Sequence, residues 1–546
     1  MQQNSPIQYP MPQMLRWAWS VTNGHRAALL VYFLLELMAI GLSLLFVFWS
    51  KQAIDMAMDP SSRDLRWVSS LVVISVLAGL ALRAVSGWMN ERTRLQIGLK
   101  LQREMIDVQM RSLWKSVKKW HSGDIQVRVN ADCQEVSTMV GYSAMAAVLT
   151  GVRLAASFTF LWILDPMLAF TIVGITPLFL FTKVYFRRMR RLSQQIKQSE
   201  SDFGEVLQEN LRWRMLIRAM DLLNGRKMKL EEQQNRIFKL RKELLNFSTL
   251  SQTAMKVTIN AGYLVTFIWG IHRLHAGEIS FGTMTAFLQL VSRIQTPMMS
   301  LIGFVPLFIR FRTAAERVME LRFEETEPTR SLEKIDGLQS LHVADLSLRY
   351  EGEPILKDFS MLVNAGAPVA IVGSSGKGKT SLMRLLLALL KPERGEIWLE
   401  SAGGRHALKA EHRSNFAYVP QGNSLFSGSI RENLVLQNPG ADDHRIQRSL
   451  WLACAEFVND LPGGLETRIG EGGHGLSEGQ AQRIAIARAM MRDCDIWLFD
   501  EISSALDHET AGRLMDRLLA EGKGRICIFV THDLKLAARC QQVLYI

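Results

Sequence analysis

Apolar residues are spread unevenly along the 546-residue chain. They gather in long runs before residue 310 or so and then give way to short runs set between polar and glycine-rich stretches. A helix that crosses a bilayer needs roughly 20 mainly apolar residues. Six stretches reach that length: Ala27–Trp49, Trp67–Trp88, Tyr142–Leu164, Met167–Phe186, Leu250–Ile271 and Phe281–Ile309. The last is less uniform and carries Arg293. Asp165-Pro166 leaves room only for a tight turn between the third and fourth, which places that turn on the outer side.

The segments Glu91–Val140 and Arg187–Phe247 lie between spans and are long and charged. Their periodicity is helical, as in the stripe Leu95, Leu99, Gln102 and Ile106. They are expected to form stalks that continue the spans beyond the bilayer. The net charge of +12 fits this picture. Lys and Arg concentrate between apolar runs, as in Arg187-Arg188-Met189-Arg190-Arg191, which is the positive-inside pattern of cytosolic loops. Nucleic acid is therefore not an expected partner. Five cysteines, Cys133, Cys454, Cys494, Cys527 and Cys540, have neither disulfide-framework nor metal-cluster spacing. The polar start of the chain has no cleavable signal pattern, so the first run is expected to remain as a span.

The acidic, Pro-containing stretch Glu324–Thr329 marks a composition change. Beyond it, β-like runs such as Leu341–Tyr350 and Val369–Val372 alternate with helical ones, which predicts an α/β domain. The expected division is residues 1–325 and residues 338–546. The strongest motif is Gly373-Ser374-Ser375-Gly376-Lys377-Gly378-Lys379-Thr380, between the strand Val369–Val372 and a helical run from Ser381. That is the context of a phosphate-binding loop, whose glycines let backbone N–H groups and a helix N-terminus face phosphate oxygens. Lys379 is expected to reach the β- and γ-phosphates and Thr380 to ligate Mg2+. Ile496-Trp497-Leu498-Phe499-Asp500-Glu501 ends a buried strand on two carboxylates, at the edge where α/β sheets bind ligands. Asp500 suits Mg2+, and Glu501 suits the attacking water.

With Leu476-Ser477-Glu478-Gly479-Gln480 and the run Ala481–Ala489, the chain resembles the ATP-binding cassette (ABC) exporter family throughout. The resemblance implies that this signature closes over ATP held by a partner's phosphate loop. It further implies that Tyr350 stacks on adenine and that Gln421 contacts Mg2+ and water. By the same resemblance His532 meets the γ-phosphate, Glu471-Gly472-Gly473 touches the partner's stalk, and Ser504–Asp507 crosses the dimer interface. The first half resembles the six-helix exporter type. Trp120–Asp132 and Glu209–Ala219 look like its intracellular loops, and Ala314–Val318 like the exit of its last helix.

The implied fold is an α-helical six-span transmembrane domain followed by an α/β P-loop NTPase domain. The implied protein is a half-transporter working as a homodimer or heterodimer. It is expected in the bacterial inner membrane with the cassette in the cytoplasm. Catalysis is expected of Glu501, His532 and Lys379, with ATP and Mg2+ as cofactors. ATP is expected to meet Tyr350, Gly373 through Ser381, Gln421 and Asp500. An ATP-gated channel or the regulatory half of a heterodimer is the alternative. The cargo is left open among small molecules, lipids and peptides, with an amphipathic or lipid-like one expected.

Two departures from the family stand out. Glu478 replaces the usual glycine, and the sequence stops at Leu544-Tyr545-Ile546, where the family usually continues. Glu36 and Arg153 lie mid-span, where ionisable groups face a cavity or a partner. A mutual ion pair and contact with a charged substrate are both open. Arg83 and Arg293 are expected to snorkel toward the cytosolic end.

Overall fold

The computed structural model describes residues 9–58, 64–114, 120, 122–175, 178–328, 331–350, 353–374, 377–470 and 475–546. Ser375, Gly376, His121 and Glu471–Gly473 lie outside the described residues, as does the side chain of Tyr350. The chain divides into two compact units. One comprises Met1–Met110 and His121–Glu324, the other Arg111–Trp120 and Glu325–Ile546.

The first unit is helical. Helix α1 (Met11–Val21) starts after Pro10 and buries Met14, Trp17, Ala18 and Val21. Next come α2 (Arg26–Ala57) and α3 (Leu65–Arg111). The short α4 (Ser122–Val127) and α5 (Cys133–Thr138) lead into α6 (Ala144–Leu164) through π-helical turns at Arg128–Asp132 and Met139–Ser143. Then follow α7 (Pro166–Ile175), α8 (Leu178–Arg212), α9 (Arg214–Ala219), α10 (Leu223–His275) and α11 (Phe281–Arg322). Among the described residues five helical runs are long and apolar enough to cross a membrane: α2, α3, 123–164, α10 and α11. The fourth expected span, Met167–Phe186, includes positions 176–177 outside the described residues. Helix α3 has 47 residues. At 1.5 Å per residue it is about 70 Å long, more than twice a hydrocarbon core. In its outlying part Ile97, Leu101 and Met105 are buried, whereas Leu95, Leu99 and Ile106 are exposed on this chain.

Helix α11 is the hub of this unit. Phe287, Leu290, Val291 and Ile294 pack with Val47, Leu161, Leu168 and Ile172. Asp165 is the one-residue joint between α6 and α7, in an extended conformation. Its carboxylate caps α7 at the Leu168 N–H, 3.0 Å away. It also accepts from Trp269 Nε1 at 3.0 Å and pairs with Arg273 at 2.5 Å. The far end of α11 is held by charge. Arg128 lies 2.7 Å from Glu320 and 3.0 Å from Asp124. Arg317 lies 2.9 Å from Asp124 and 3.2 Å from Asp132. This ties the expected helix exit to the expected first intracellular loop.

The second unit carries two larger sheets, besides the short pair β7 (Gly428–Ser429) and β8 (Arg468–Ile469), and its helices include α13 (Ile430–Leu434) and α14 (Asp443–Leu452). Strands β1 (Leu338–Tyr350), β2 (Glu353–Asn364), β4 (Arg394–Ser401) and β5 (Gly404–Ala407) form an antiparallel sheet in the order β2-β1-β4-β5. Strands β3 (Val369–Val372), β6 (Phe416–Val419), β9 (Ile496–Asp500), β10 (Ile526–Thr531) and β11 (Gln542–Tyr545) form a parallel sheet in the order β11-β3-β10-β9-β6. Strands β3, β9 and β10 are buried at every position, which is why they read as unbroken apolar runs. The early segment of the unit is anchored by backbone. Leu113 N–H donates to Glu325 O at 3.1 Å, and Glu327 N–H to Arg111 O at 2.8 Å.

Candidate functional site

Register decides what the parallel sheet presents at its C-terminal edge. Thr531 pairs with Val372, Val530 with Asp500, and Val419 with Phe499. Four strands therefore end together, and within two residues of their ends come Gly373, Gln421, Glu501 and His532.

Behind β3 the chain turns through Gly378 at φ 93° into α12 (Lys379–Leu386). A side chain at 378 would stand 2.8 Å from both the Ile355 carbonyl and Ile355 Cγ2, so glycine is required there. Lys379 is the first helical residue and only 7 % exposed. Its Nζ donates to Gly373 O at 2.5 Å. Thr380 and Ser381 follow in the first turn, half-buried, while Ser374 and Lys377 are exposed.

Glu501 is the meeting point. Its carboxylate accepts from Gln421 Nε2 at 2.6 Å. Lys379 Nζ lies 3.5 Å from Oε1, and His532 Nδ1 lies 3.9 Å from Oε2. The residue itself sits at φ 50°, a left-handed backbone that non-glycine residues seldom adopt. Two bonds hold it there. Its N–H donates to Val530 O at 2.9 Å, and its carbonyl accepts from Gln482 Nε2 at 2.9 Å. Gln482 is 1 % exposed and went unremarked at the sequence level. A glutamine among the apolar residues of Ala481–Ala489 was the available signal.

Asp500 is 2 % exposed, and its Oδ2 has no partner among the described residues. Burial, and then the neighbouring Glu501 charge, push its carboxyl up to about 6, against the pull of Lys379 and Arg384. A buried acceptor lacking a donor is uncommon and fits a cation. Thr380 and Gln421 supply neutral oxygens of the kind Mg2+ takes.

The signature forms a separate group. Ser477 caps α15 (Glu478–Met490), accepting from Gln480 N–H at 3.2 Å, and Gln480 Oε1 accepts from Ser477 N–H at 2.9 Å. These bonds are to each other and not to the phosphate loop. Leu476 packs against the core, and Ser477 and Glu478 are exposed. A Cβ on Gly479 would stand 2.5 Å from Ala505 O, so glycine lets the Ser504–Asp507 turn approach. Asp507 caps α16 (His508–Glu521) at Thr510 N–H. Tyr350 ends β1, paired with Glu353.

In the helical unit Glu36 accepts from Ser86 Oγ at 2.5 Å and lies 3.9 Å from Arg153. Arg293 donates to the Ser43 hydroxyl on α2, and its guanidinium lies 5.9 Å over the Phe46 ring.

The family pattern described as ABC transporter transmembrane region matches residues 29–298, and the one described as ABC transporter matches residues 356–504. The chain is 28 % identical over 431 residues to the probable multidrug resistance ABC transporter ATP-binding/permease protein YheH of Bacillus subtilis (strain 168), covering 78 % of this chain and 64 % of that one. It is 27 % identical over 477 residues to the leukotoxin translocation ATP-binding protein LktB of Mannheimia glucosida, covering 86 % and 66 %. The chain thus spans slightly less than two thirds of the length of these relatives. A solved structure of a bacterial Atm1-family ABC exporter with ATP bound superposes with a TM-score of 0.80, covering 95 % of this chain and 94 % of that one at 20 % identity. The helical region, the cassette and their order in one polypeptide place this chain in the ABC transporter family.

Proposed function

We propose that this chain is one half of an ATP-driven exporter that works as a dimer, with residues 1–325 as membrane domain and residues 338–546 as cassette. The observation that carries the proposal is the Glu501 carboxylate, set at the edge of the parallel sheet within reach of Lys379, Gln421 and His532. Lys379 and the N–H groups around Gly373–Thr380 bind the β- and γ-phosphates. Tyr350 packs on the adenine. Glu501 orients and polarises the attacking water, Gln421 holds that carboxylate in place, and His532 faces the γ-phosphate. Asp500, Thr380 and Gln421 are the residues that would hold Mg2+, which when bound neutralises charge on the phosphate oxygens.

Leu476–Gln480 complete the partner's site, so ATP draws two cassettes together. The membrane halves then switch between inward-open and outward-open forms, and hydrolysis resets them. The cassette lies in the cytoplasm beneath a bacterial inner membrane, and the cargo is amphipathic or lipid-like. Glu501→Gln should bind ATP normally and lower turnover at least about 100-fold. Near-normal turnover would overturn the assignment.

Glu478 favours a second reading of the partner. A carboxylate beside a phosphate site weakens that site, as in a heterodimer with one impaired ATP site. Native mass measurement of the purified chain together with its ATPase rate separates the two. A dimer that hydrolyses ATP is the homodimer, and an inactive monomer calls for a second chain.

A further inference from the structure

We infer that the membrane domain holds the anionic head group of an amphipathic substrate among Arg83, Arg153 and Arg293. The inference rests on the exporter reading and names the substrate class of its cavity. The arginines come from three different helices, α3, α6 and α11. Arg153 meets Glu36 and Arg293 meets Ser43 about two turns further along the same α2, while Arg83 lies one turn before Ser86, whose hydroxyl also meets Glu36. Arginine cannot shed its proton to escape burial. Among the described residues Glu36 is the carboxylate within ion-pair distance of this group. That carboxylate is already shared, for Ser86 donates to its Oε1. Its contact with Arg153, at 3.9 Å, is long for a charge-assisted bond. Among the described residues Arg293 meets the neutral hydroxyl of Ser43 and the ring of Phe46.

Three permanent cations against one carboxylate leave an excess of positive charge at bilayer depth. Such an excess is costly unless it faces a cavity or an anion. The Arg153 side chain keeps 40 % of its surface open, so its guanidinium remains available to a ligand. Guanidinium groups match phosphate, sulfonate and carboxylate oxygens by paired hydrogen bonds. Phe46 beside Arg293 offers apolar surface to the rest of the ligand. The class is therefore an organic anion with an apolar body. It has two sources, a membrane phospholipid or a dissolved amphiphile.

The test is calorimetric titration of the full chain in phosphatidylcholine nanodiscs without nucleotide, using dodecyl phosphate and dodecyltrimethylammonium as probes. Dodecyl phosphate should bind at least about tenfold tighter, and the double variant Arg153→Gln/Arg293→Gln should lose that preference. Glu36→Gln should tighten dodecyl phosphate binding about threefold or more by removing the competing carboxylate, a gain that misfolding cannot produce. Equal affinities for the two probes, or a preference that survives the double variant, overturns the inference. Nanodiscs made with phosphatidylglycerol distinguish the sources. Competition by that lipid assigns the site to phospholipid, and its absence assigns it to a dissolved amphiphile. ATP turnover is measured separately on the same preparation. Turnover without anion preference removes only this inference, whereas preference without turnover leaves the inference standing and removes the self-paired form of the exporter reading.

Discussion

Glu501 occupies a backbone conformation that its side chain does not favour, and the cost is met by two bonds from neighbours distant in sequence. The bond from Gln482 has a direct consequence. Gln482→Ala should lower ATP turnover about tenfold with little change in ATP affinity, because losing a buried bond costs about 1–3 kcal/mol and falls on the water-polarising residue alone. Steady-state kinetics with a nucleotide-binding titration checks this. Glu478 shows the opposite balance. At the first position of α15 it favours the helix dipole by roughly 0.3–1 kcal/mol. The same carboxylate repels an approaching phosphate. Glu478→Gly should lower cassette stability slightly and raise turnover of a self-paired chain by about threefold to fivefold. Unchanged or reduced turnover would mean that Glu478 points away from the nucleotide.

At the level of elements, much was legible because the signals are local. Val369–Val372, the phosphate loop, Ile496–Glu501 and Leu476–Gln480 are short stretches whose residue types dictate their backbone. The helical nature of Glu91–Arg111 and of the residues from Ser122 to Val140 was equally plain. Which face of α3 the chain covers was not, because Leu95, Leu99 and Ile106 lie at helical intervals just as Ile97, Leu101 and Met105 do, and only the latter are buried. Period reports a helix, whereas burial depends on which helices arrive beside it. The π-helical turns at Arg128–Asp132 and Met139–Ser143 were invisible for a similar reason. Arg128 sits in the first and reaches Glu320, 192 positions away in sequence. Arg128→Ala would strand Glu320, which is only 11 % exposed at its side chain. Breaking such a pair costs about 3–5 kcal/mol, so thermal unfolding in detergent should shift clearly downward. Gly479 depends on a long-range neighbour too. Gly479→Ala pushes against a carbonyl rather than a flexible side chain, and ATPase activity should fall even though the new residue favours helix.

At the scale of the whole molecule, the second unit is discontinuous in sequence, taking Arg111–Trp120 from between two stretches of the helical unit. Trp114 lies under Arg384 of α12 at 4.5 Å, and Arg413 pairs with Glu327 at 2.7 Å. A polypeptide of residues 325–546 alone would lack the Arg111 carbonyl that accepts from Glu327 N–H. Hydrogen exchange at the Glu327 amide should be faster there than in the full chain, and equal rates would show that the bond contributes nothing. The discontinuity has a consequence in time. A ribosome adds about 5–20 residues per second, so Arg111–Trp120 emerge roughly 10 to 60 s before the strands they join. During that interval helices α4 to α11 are being made while Trp114 still awaits Arg384. Maturation of the cassette is thus tied to a segment synthesised before most of the membrane domain, and errors in inserting the early helices would be felt as errors in the ATPase.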